Sequence, residues 1–210
     1  MGAADTLARI RQTRIVAVVR ASSPDSVMEI CKALVAGGVD VLEITFTVPD
    51  AIDLIRQVRD ELGHRIVLGA GTVLDTETGR AAMLAGAEFI VSPTLNLDLI
   101  RLCRRYDKAV MPGAFTPTEI LAAWEAGADI VKVFPADVGG PAYFKAIRGP
   151  LPQVKLMPTG GVDLKTAKDF LDAGAFALGT GSSLVPKQAI EDGNMAEITS
   201  LAKQFIAIAK

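Results

Sequence analysis

The chain has 210 residues, of which 50% are apolar, so it can bury a full hydrophobic core and falls in the size range of one domain. Its 22 basic and 24 acidic residues nearly balance and form no long run of one sign, which gives no electrostatic support for nucleic acid or an anionic membrane as partner. No apolar run approaches the ~20 residues that span a bilayer, and Met1–Ile10 lacks a signal-peptide core, so we expect residues 1–210 to form one cytoplasmic domain.

Short β-branched runs alternate with longer helical stretches along the whole chain. This alternation predicts βα units and a parallel sheet. In chain order, the expected strands are Ile15–Val19, Val41–Phe46, Ile66–Leu68, Phe89–Val91, Ala109–Met111, Ile130–Phe134, Lys155–Met157 and Ala177–Leu178. Eight strands are the number that closes a TIM barrel, so we predict an α/β fold consisting of a single (β/α)8 TIM barrel with an N-terminal helix.

A short motif recurs four times between a predicted helix and the following strand. It appears as Gly37–Asp40, Ala85–Glu88, Ala126–Asp129 and Ala173–Phe176, before strands two, four, six and eight. The glycines fit helix C-caps, and the spacing indicates one repeat for every two βα units. An open doubly wound sheet would not obviously show this recurrence, and no Gly-x-Gly-x-x-Gly opens the first helix. The pattern favours a closed barrel, in which chemistry belongs at the C-terminal strand ends.

The sixth strand carries a lysine among apolar neighbours. Asp129–Pro135 reads DIVKVFP, which places Lys132 in a buried strand that a proline ends. Burial disfavours an ammonium group and lowers its pKa, which makes the amine nucleophilic and able to form a Schiff base with a ketone. A structural role is the alternative, in which Lys132 extends to the surface or pairs with Asp129 or Asp137.

The second strand carries a glutamate in a similar setting. Glu43 lies within Val41–Phe46, and two isolated ionisable side chains on separate buried strands can meet inside a barrel. A carboxylate near Lys132 would transfer the protons that Schiff-base formation and breakdown require. The alternative is an ion pair with a structural role alone.

Glycine-rich turns follow strands seven and eight. Thr159–Gly161 and Gly179–Ser182 lie where TIM barrels commonly bind phosphate through backbone amides. Arg20, after strand one, would add a cation to such a site. Turns need glycine in any case, and Arg20 has the alternative of being an ordinary surface residue, so each of these signals is weak when taken alone.

The small number of histidine and cysteine residues limits the kinds of metal site and catalytic triad that the chain can form. The single histidine, His64, lies in a loop-like segment and is expected at the surface. One histidine does not easily build a multi-histidine zinc site or a Ser-His-Asp triad, so we predict no metal site. Cys31 and Cys103 lie in apolar helical patterns, so we expect buried free thiols.

Seven segments taken together resemble one known family. They are Glu43–Thr47 (EITFT), Gly69–Val73 (GAGTV), Val91–Pro93 (VSP), Met111–Gly113 (MPG), Lys132–Ala136 (KVFPA), Pro158–Gly161 (PTGG) and Gly181–Pro186 (GSSLVP). They are similar to segments of the 2-keto-3-deoxy-6-phosphogluconate (KDPG) aldolases, class I enzymes grouped with the 4-hydroxy-2-oxoglutarate (KHG) aldolases. The similarity runs in order from about Ile15 to Pro186.

The resemblance implies roles for particular residues. Lys132 would form the Schiff base with pyruvate, without any added cofactor, and Glu43 would be the general acid and base. The implied pyruvate pocket is lined by Thr72, Pro93 and Phe134. The implied phosphate-binding residues are Arg20, Thr159, Gly160, Gly161, Gly181 and Ser182. Thr47 stands where many members carry an arginine that contacts the substrate, and the family is usually trimeric.

The expected reaction is cleavage of KDPG to pyruvate and glyceraldehyde 3-phosphate. One alternative is the same chemistry on an unphosphorylated 2-keto acid such as KHG. Two further alternatives are a phosphate-binding isomerase or synthase that uses Glu43 as a base without covalent chemistry, and a catalytically silent oligomeric barrel.

Overall fold

The strands occupy the predicted places in the chain, with shifted ends. The computed structural model describes residues 1–21 and 23–210. The strands are β1 (Ile15–Val19), β2 (Val41–Thr45), β3 (Val67–Gly71), β4 (Phe89–Val91), β5 (Ala109–Met111), β6 (Gly113–Ala114), β7 (Val131–Val133), β8 (Leu156–Pro158) and β9 (Leu178–Thr180). β5 coincides with the fifth predicted strand, and β6, which was not predicted, continues it beyond Pro112, which has no N–H to donate to a neighbouring strand.

Helices follow the strands, and one precedes the barrel, as predicted. They are α1 (Ala3–Thr13), α2 (Pro24–Ala36), α3 (Ala51–Leu62), α4 (Thr76–Ala85), α5 (Leu97–Arg105), α6 (Pro117–Glu125), α7 (Gly140–Arg148), α8 (Ala167–Asp172), α9 (Lys187–Glu191) and α10 (Met195–Ala209), with a short 3-10 helix at Ala136–Val138. In the described parts of the chain, none of these helices combines the length and apolar character needed to cross a bilayer.

Parallel pairing closes the sheet into a barrel. The strand order is β5-β4-β3-β2-β1-β9 in one sheet and β6-β7-β8 in the other. β6 continues β5, and a parallel bridge between Thr159 and Gly179 joins the end of β8 to β9. The N–H of Phe176 also donates to the carbonyl of Leu156 at 2.9 Å. These links complete a ring of eight strand positions and confirm the predicted (β/α)8 barrel.

The four recurring turns have the predicted backbone conformation. Gly38, Gly86, Gly127 and Gly174 have φ angles of 92°, 119°, 98° and 94°, in the left-handed region that glycine tolerates best. Each turn ends one helix and directs the chain into the next strand. The interpretation of the motif as a repeated helix C-cap is therefore confirmed.

Strand side chains alternate between two apolar layers. The outer layer, which includes Leu42, Ile44, Val131 and Val133, packs against the helices. The inner layer fills the barrel and consists of Val16, Val41, Val67, Phe89, Val91, Ala109, Met111, Ile130, Met157 and Ala177, together with Ala3 and Ile10 of α1. Because α1 packs against this inner layer and contacts β1, β2 and β5, it closes the N-terminal end of the barrel.

Candidate active site

The lumen of the barrel receives Lys132 and Glu43 from opposite walls. Side chains alternate along a strand, so Glu43 follows Val41 into the interior and Lys132 follows Ile130. β2 and β7 occupy the second and sixth of the eight barrel positions and therefore face each other across the lumen. Lys132 is 4% exposed and Glu43 is 1% exposed, so water reaches neither side chain freely.

Lys132 does not take part in the structural ion pairs that the sequence left open. The carboxylate of Asp129 accepts a hydrogen bond from the N–H of Val110 at 2.9 Å and lies 3.5 Å from Arg104. Asp137 is exposed after the end of β7. The amine of Lys132 instead lies 5.1 Å from the ring centroid of Phe134, towards the C-terminal end of the barrel.

Glu43 is a buried carboxylate without a hydrogen-bond partner in the described part of the chain. Neither of its oxygens accepts a hydrogen bond, so Lys132 does not form a direct ion pair with it. A buried polar group in this state lacks the compensation that buried carboxylates normally receive. Both carboxylate oxygens therefore keep unused hydrogen-bonding capacity.

Burial shifts the pKa values of both groups towards their neutral forms. Loss of hydration lowers the pKa of Lys132, the positive charge of Arg20 lowers it further, and attraction to Glu43 partly offsets the decrease. Loss of hydration raises the pKa of Glu43, and attraction to Lys132 and Arg20 partly offsets the increase. Lys132 therefore has a larger nucleophilic fraction at neutral pH than an exposed lysine.

One glycine on β3, Gly71, makes room for the Glu43 side chain. Gly69 lies directly beside Glu43 in the register of β2 and β3, and Gly71 follows two residues later on the same face. A Cβ on Gly71 would lie 2.6 Å from Cγ of Glu43 and closer still to its carboxylate. The glutamate therefore occupies space that any other residue at position 71 would fill.

Two adjoining cavities open at the C-terminal end of the barrel. The smaller has a volume of about 90 Å³, and its lining includes Arg20, Phe134, Thr159, Gly160, Gly161, Gly181 and Ser182. The larger has a volume of about 420 Å³, and its lining includes Arg20, Thr47, Gly181 and Ser182 together with Val185, Lys187, Ile190 and Glu191. Glycine backbone, hydroxyl groups and one arginine thus line the smaller cavity, whose wall includes Phe134, the neighbour of the Lys132 amine. Such a surface suits a phosphate group.

Four further predicted site residues, Arg20, Thr47, Thr72 and Pro93, differ in their exposure and in their position relative to the two cavities. Arg20 and Thr47 are exposed, and the hydroxyl of Thr47 lies 2.7 Å from that of Thr45. Thr72 and Pro93 lie at the ends of β3 and β4, outside the linings of both cavities. Thr72 has a φ angle of 59°, an unusual conformation for a β-branched residue that concentrates at functional sites.

Some residues of this region were missed by the sequence interpretation. Val18 lines both cavities, and its inward position follows from the alternation of Val16, Val18 and Arg20 along and beyond β1. Gly71, a glycine within a strand, was the available signal for the space around Glu43. The apolar wall at Val185 and Ile190 comes from the segment after β9, whose path no strand pattern predicts.

A closed (β/α)8 barrel with a buried amine opposite a buried carboxylate has the arrangement of a class I aldolase. The family described as "KDPG and KHG aldolase" matches residues 7–201. The chain is 36% identical over 203 residues to a 2-dehydro-3-deoxy-phosphogluconate aldolase of Pseudomonas aeruginosa, which covers 96% of this chain and 91% of that protein. It therefore belongs to the KDPG and KHG aldolase family.

Two further proteins extend the comparison. A KHG/KDPG aldolase of Escherichia coli is 36% identical over 197 residues, covering 93% of this chain and 92% of that protein. The crystal structure of a KDPG aldolase from Legionella pneumophila superimposes with a TM-score of 0.88 at 30% identity, covering 94% of this chain and 96% of that one. That structure holds pyruvate captured at low pH as a covalent carbinolamine intermediate.

Proposed function

We propose that this chain is a class I aldolase that cleaves KDPG to pyruvate and glyceraldehyde 3-phosphate, with Lys132 as the nucleophile. The observation that carries the proposal is the buried amine of Lys132, whose pKa is lowered by burial and which faces the unpartnered carboxylate of Glu43 across the lumen. Family membership supports the same chemistry over a non-covalent isomerase or synthase and over a silent scaffold.

The first half of the reaction builds an electron sink. The neutral amine of Lys132 adds to the C2 carbonyl of the substrate and gives a carbinolamine, and loss of water then gives a protonated imine. The water that leaves takes a proton, which Glu43 is placed to supply because its raised pKa favours the protonated form. Glu43 is then a carboxylate and ready to act as a base.

The second half breaks and remakes bonds beside the imine. Glu43 removes the proton of the C4 hydroxyl, the C3–C4 bond breaks, and its electron pair moves into the imine to give an enamine and free aldehyde. Glu43 returns the proton to C3 of the enamine. Water then adds to the imine carbon, and pyruvate leaves with the amine of Lys132 restored.

The mouth of the barrel supplies the substrate contacts in this proposal. The phosphate lies against the glycine turns Thr159–Gly161 and Gly181–Ser182, with Arg20 as the counter-charge. The pyruvate portion lies deeper, where Phe134 borders the amine and where Thr72 and Pro93 end their strands. Thr47 lies at the rim, beside the larger cavity.

Reductive trapping tests the covalent step. Pyruvate with borohydride should convert the protein to a stable adduct, and peptide mass spectrometry should locate the modification on Lys132. Lys132→Arg should abolish both trapping and cleavage, whereas Lys145→Arg, which replaces an exposed lysine on α7, should retain both. A trapped adduct on another lysine, or full cleavage activity in Lys132→Arg, contradicts the proposal.

A second candidate substrate is KHG, because the relative from Escherichia coli carries both substrate names. The two substrates share the 2-keto acid end that reacts with Lys132, whereas the far end is a phosphate in KDPG and a carboxylate in KHG. Measured kcat/KM values for both substrates separate the candidates. Arg20→Gln should lower kcat/KM for KDPG at least tenfold more than it lowers kcat/KM for KHG, since only KDPG carries the phosphate, whereas the effect of Arg20 on Lys132 is common to both substrates.

We further propose that residues 1–210 act as one domain within a homotrimer. An exposed apolar patch supports self-association: Leu74 and Leu97 are 53% and 40% exposed, and Asn96 donates a hydrogen bond to the carbonyl of Leu74 at 2.9 Å, which holds them together. Sedimentation equilibrium should give three chains per particle. A monomer at micromolar concentration contradicts this proposal. The cytoplasmic location stays a prediction from the sequence.

A further inference from the structure

A second polar pocket lies at the end of the barrel opposite the mouth. We call it the basal pocket. It has a volume of about 540 Å³, within the range of roughly 300–1,000 Å³ typical of small-molecule sites. Its lining includes Arg11, Arg14, Arg148 and Lys155 and the ring of Phe176. In the described part of the chain, no acidic residue lines it.

The four cations of the basal pocket are not neutralised by nearby carboxylates. Across residues 1–21 and 23–210, none of them has an acidic oxygen within 4.0 Å. Five other arginines are paired with a carboxylate, as Arg9 is with Asp40. The acidic group that Lys155 does influence is Asp129, which already lies 3.5 Å from Arg104 and receives a hydrogen bond from Val110. The pocket therefore carries an uncompensated positive charge.

Backbone contacts hold two of these cations, Arg14 and Arg148, in place. Arg14 donates to the carbonyl of Ala175 at 3.0 Å, and Arg148 donates to the carbonyls of Val154 and Pro152, at 3.3 Å in each case. Each guanidinium has five N–H groups, so donors remain for a ligand. Lys155 lies 5.7 Å from the ring centroid of Phe176. Groups that are held in place before binding lose less entropy when a ligand arrives.

We propose that the basal pocket binds a small anion that carries two or more phosphate groups. Arginine forks match the geometry of phosphate oxygens, and four cations, which lie at the C-terminal end of α1, at the end of α7 and just before β8, can engage two phosphates at once. A single phosphate would leave much of the 540 Å³ empty. The site is separate from the glycine turns at the mouth, because it lies at the N-terminal ends of β8 and β9.

Titration calorimetry with inorganic pyrophosphate tests the proposal. In an Arg20→Gln background, which weakens the phosphate site at the mouth, the expected result is binding at one site per chain. The affinity should fall at least tenfold in Arg11→Gln/Lys155→Gln and measurably in Arg11→Gln alone, and Arg11 is exposed, so its replacement should not unfold the chain. Arg105→Gln removes an exposed arginine outside the pocket and should change the affinity by less than twofold. Thermal unfolding of each variant should show that all are folded.

Four outcomes would overturn the proposal. Absence of pyrophosphate binding, or an equal loss in Arg105→Gln, would show that the pocket has no specific role. Loss of binding in Arg20→Gln would place the pyrophosphate at the mouth instead. Citrate binding more tightly than pyrophosphate would assign the pocket to carboxylates rather than phosphates.

Discussion

Replacing Gly71 by alanine tests whether the position of the Glu43 carboxylate controls the reaction. The new Cβ would lie 2.6 Å from Cγ of Glu43, whereas ordinary contact begins at 3.4 Å, so the side chain must move by about 0.8 Å or more. Displacements near 1 Å in a catalytic group lower rates by about 10²-fold. Overpacking in a buried position also reduces the free energy of unfolding by roughly 1–3 kcal/mol.

The assay measures kcat from pyruvate release in a coupled spectrophotometric reaction, with thermal unfolding as the check on stability. Gly71→Ala should remain folded and lose about a hundredfold in kcat. Gly149→Ala is the matched control, since its Cβ would meet no atom closer than 3.4 Å, and it should keep the activity of the parent chain. A folded Gly71→Ala with kcat within twofold of the parent would refute the reasoning about Glu43.

Three further predictions concern the lumen and its mouth. Burial raises the pKa of Glu43 above its ordinary value of 4.5, so the contribution of this group to stability is full below pH 4.5 and is lost as pH rises through the folded-state pKa. Glu43→Gln should therefore gain Tm relative to the parent as pH increases, and a constant difference would contradict this. Thr159→Val removes a buried hydroxyl that has no described hydrogen-bond partner. The free energy of unfolding should therefore stay unchanged or rise by about 1 kcal/mol, while kcat/KM falls. A clear loss of Tm would contradict this. Gly161→Ala crowds Asp137 at a φ of 70° and should raise KM for KDPG at least tenfold but not KM for KHG; equal effects on both substrates would contradict phosphate binding there.

The alternation of β-branched runs with helical stretches was enough to predict the barrel, because each strand of a parallel sheet is buried on both faces. The strand ends were harder to predict. Gly69–Gly71 pairs with β2 as part of β3, although glycine has low strand propensity, because neighbouring strands supply the hydrogen bonds. Pro112 follows the fifth predicted strand. The apolar run before it did not predict that Gly113–Ala114 continues the strand.

The sequence predicted the positions of those site residues that lie on strands, and it did not predict the parts of the site that lie on loops. The inward positions of Glu43 and Lys132 follow from alternation along single strands, and the structure places both in the lumen. The larger cavity at the mouth depends on the path of the chain after β9, which periodicity does not describe. The basal pocket joins residues as distant in sequence as Arg11 and Phe176, so only the folded chain brings it together.

The helix α1 closes the N-terminal end of the barrel, so the barrel is open only at its C-terminal end. Ala3 and Ile10 seal the floor against the inner apolar layer, so reactants enter and leave on the side of the glycine turns. In the proposed reaction, the fragment bonded to Lys132 would lie deepest, with the aldehyde between it and the exit. Departure must then follow a fixed sequence, with the phosphorylated aldehyde first and pyruvate last. In the reverse, bond-forming direction, pyruvate must be loaded before any aldehyde can react.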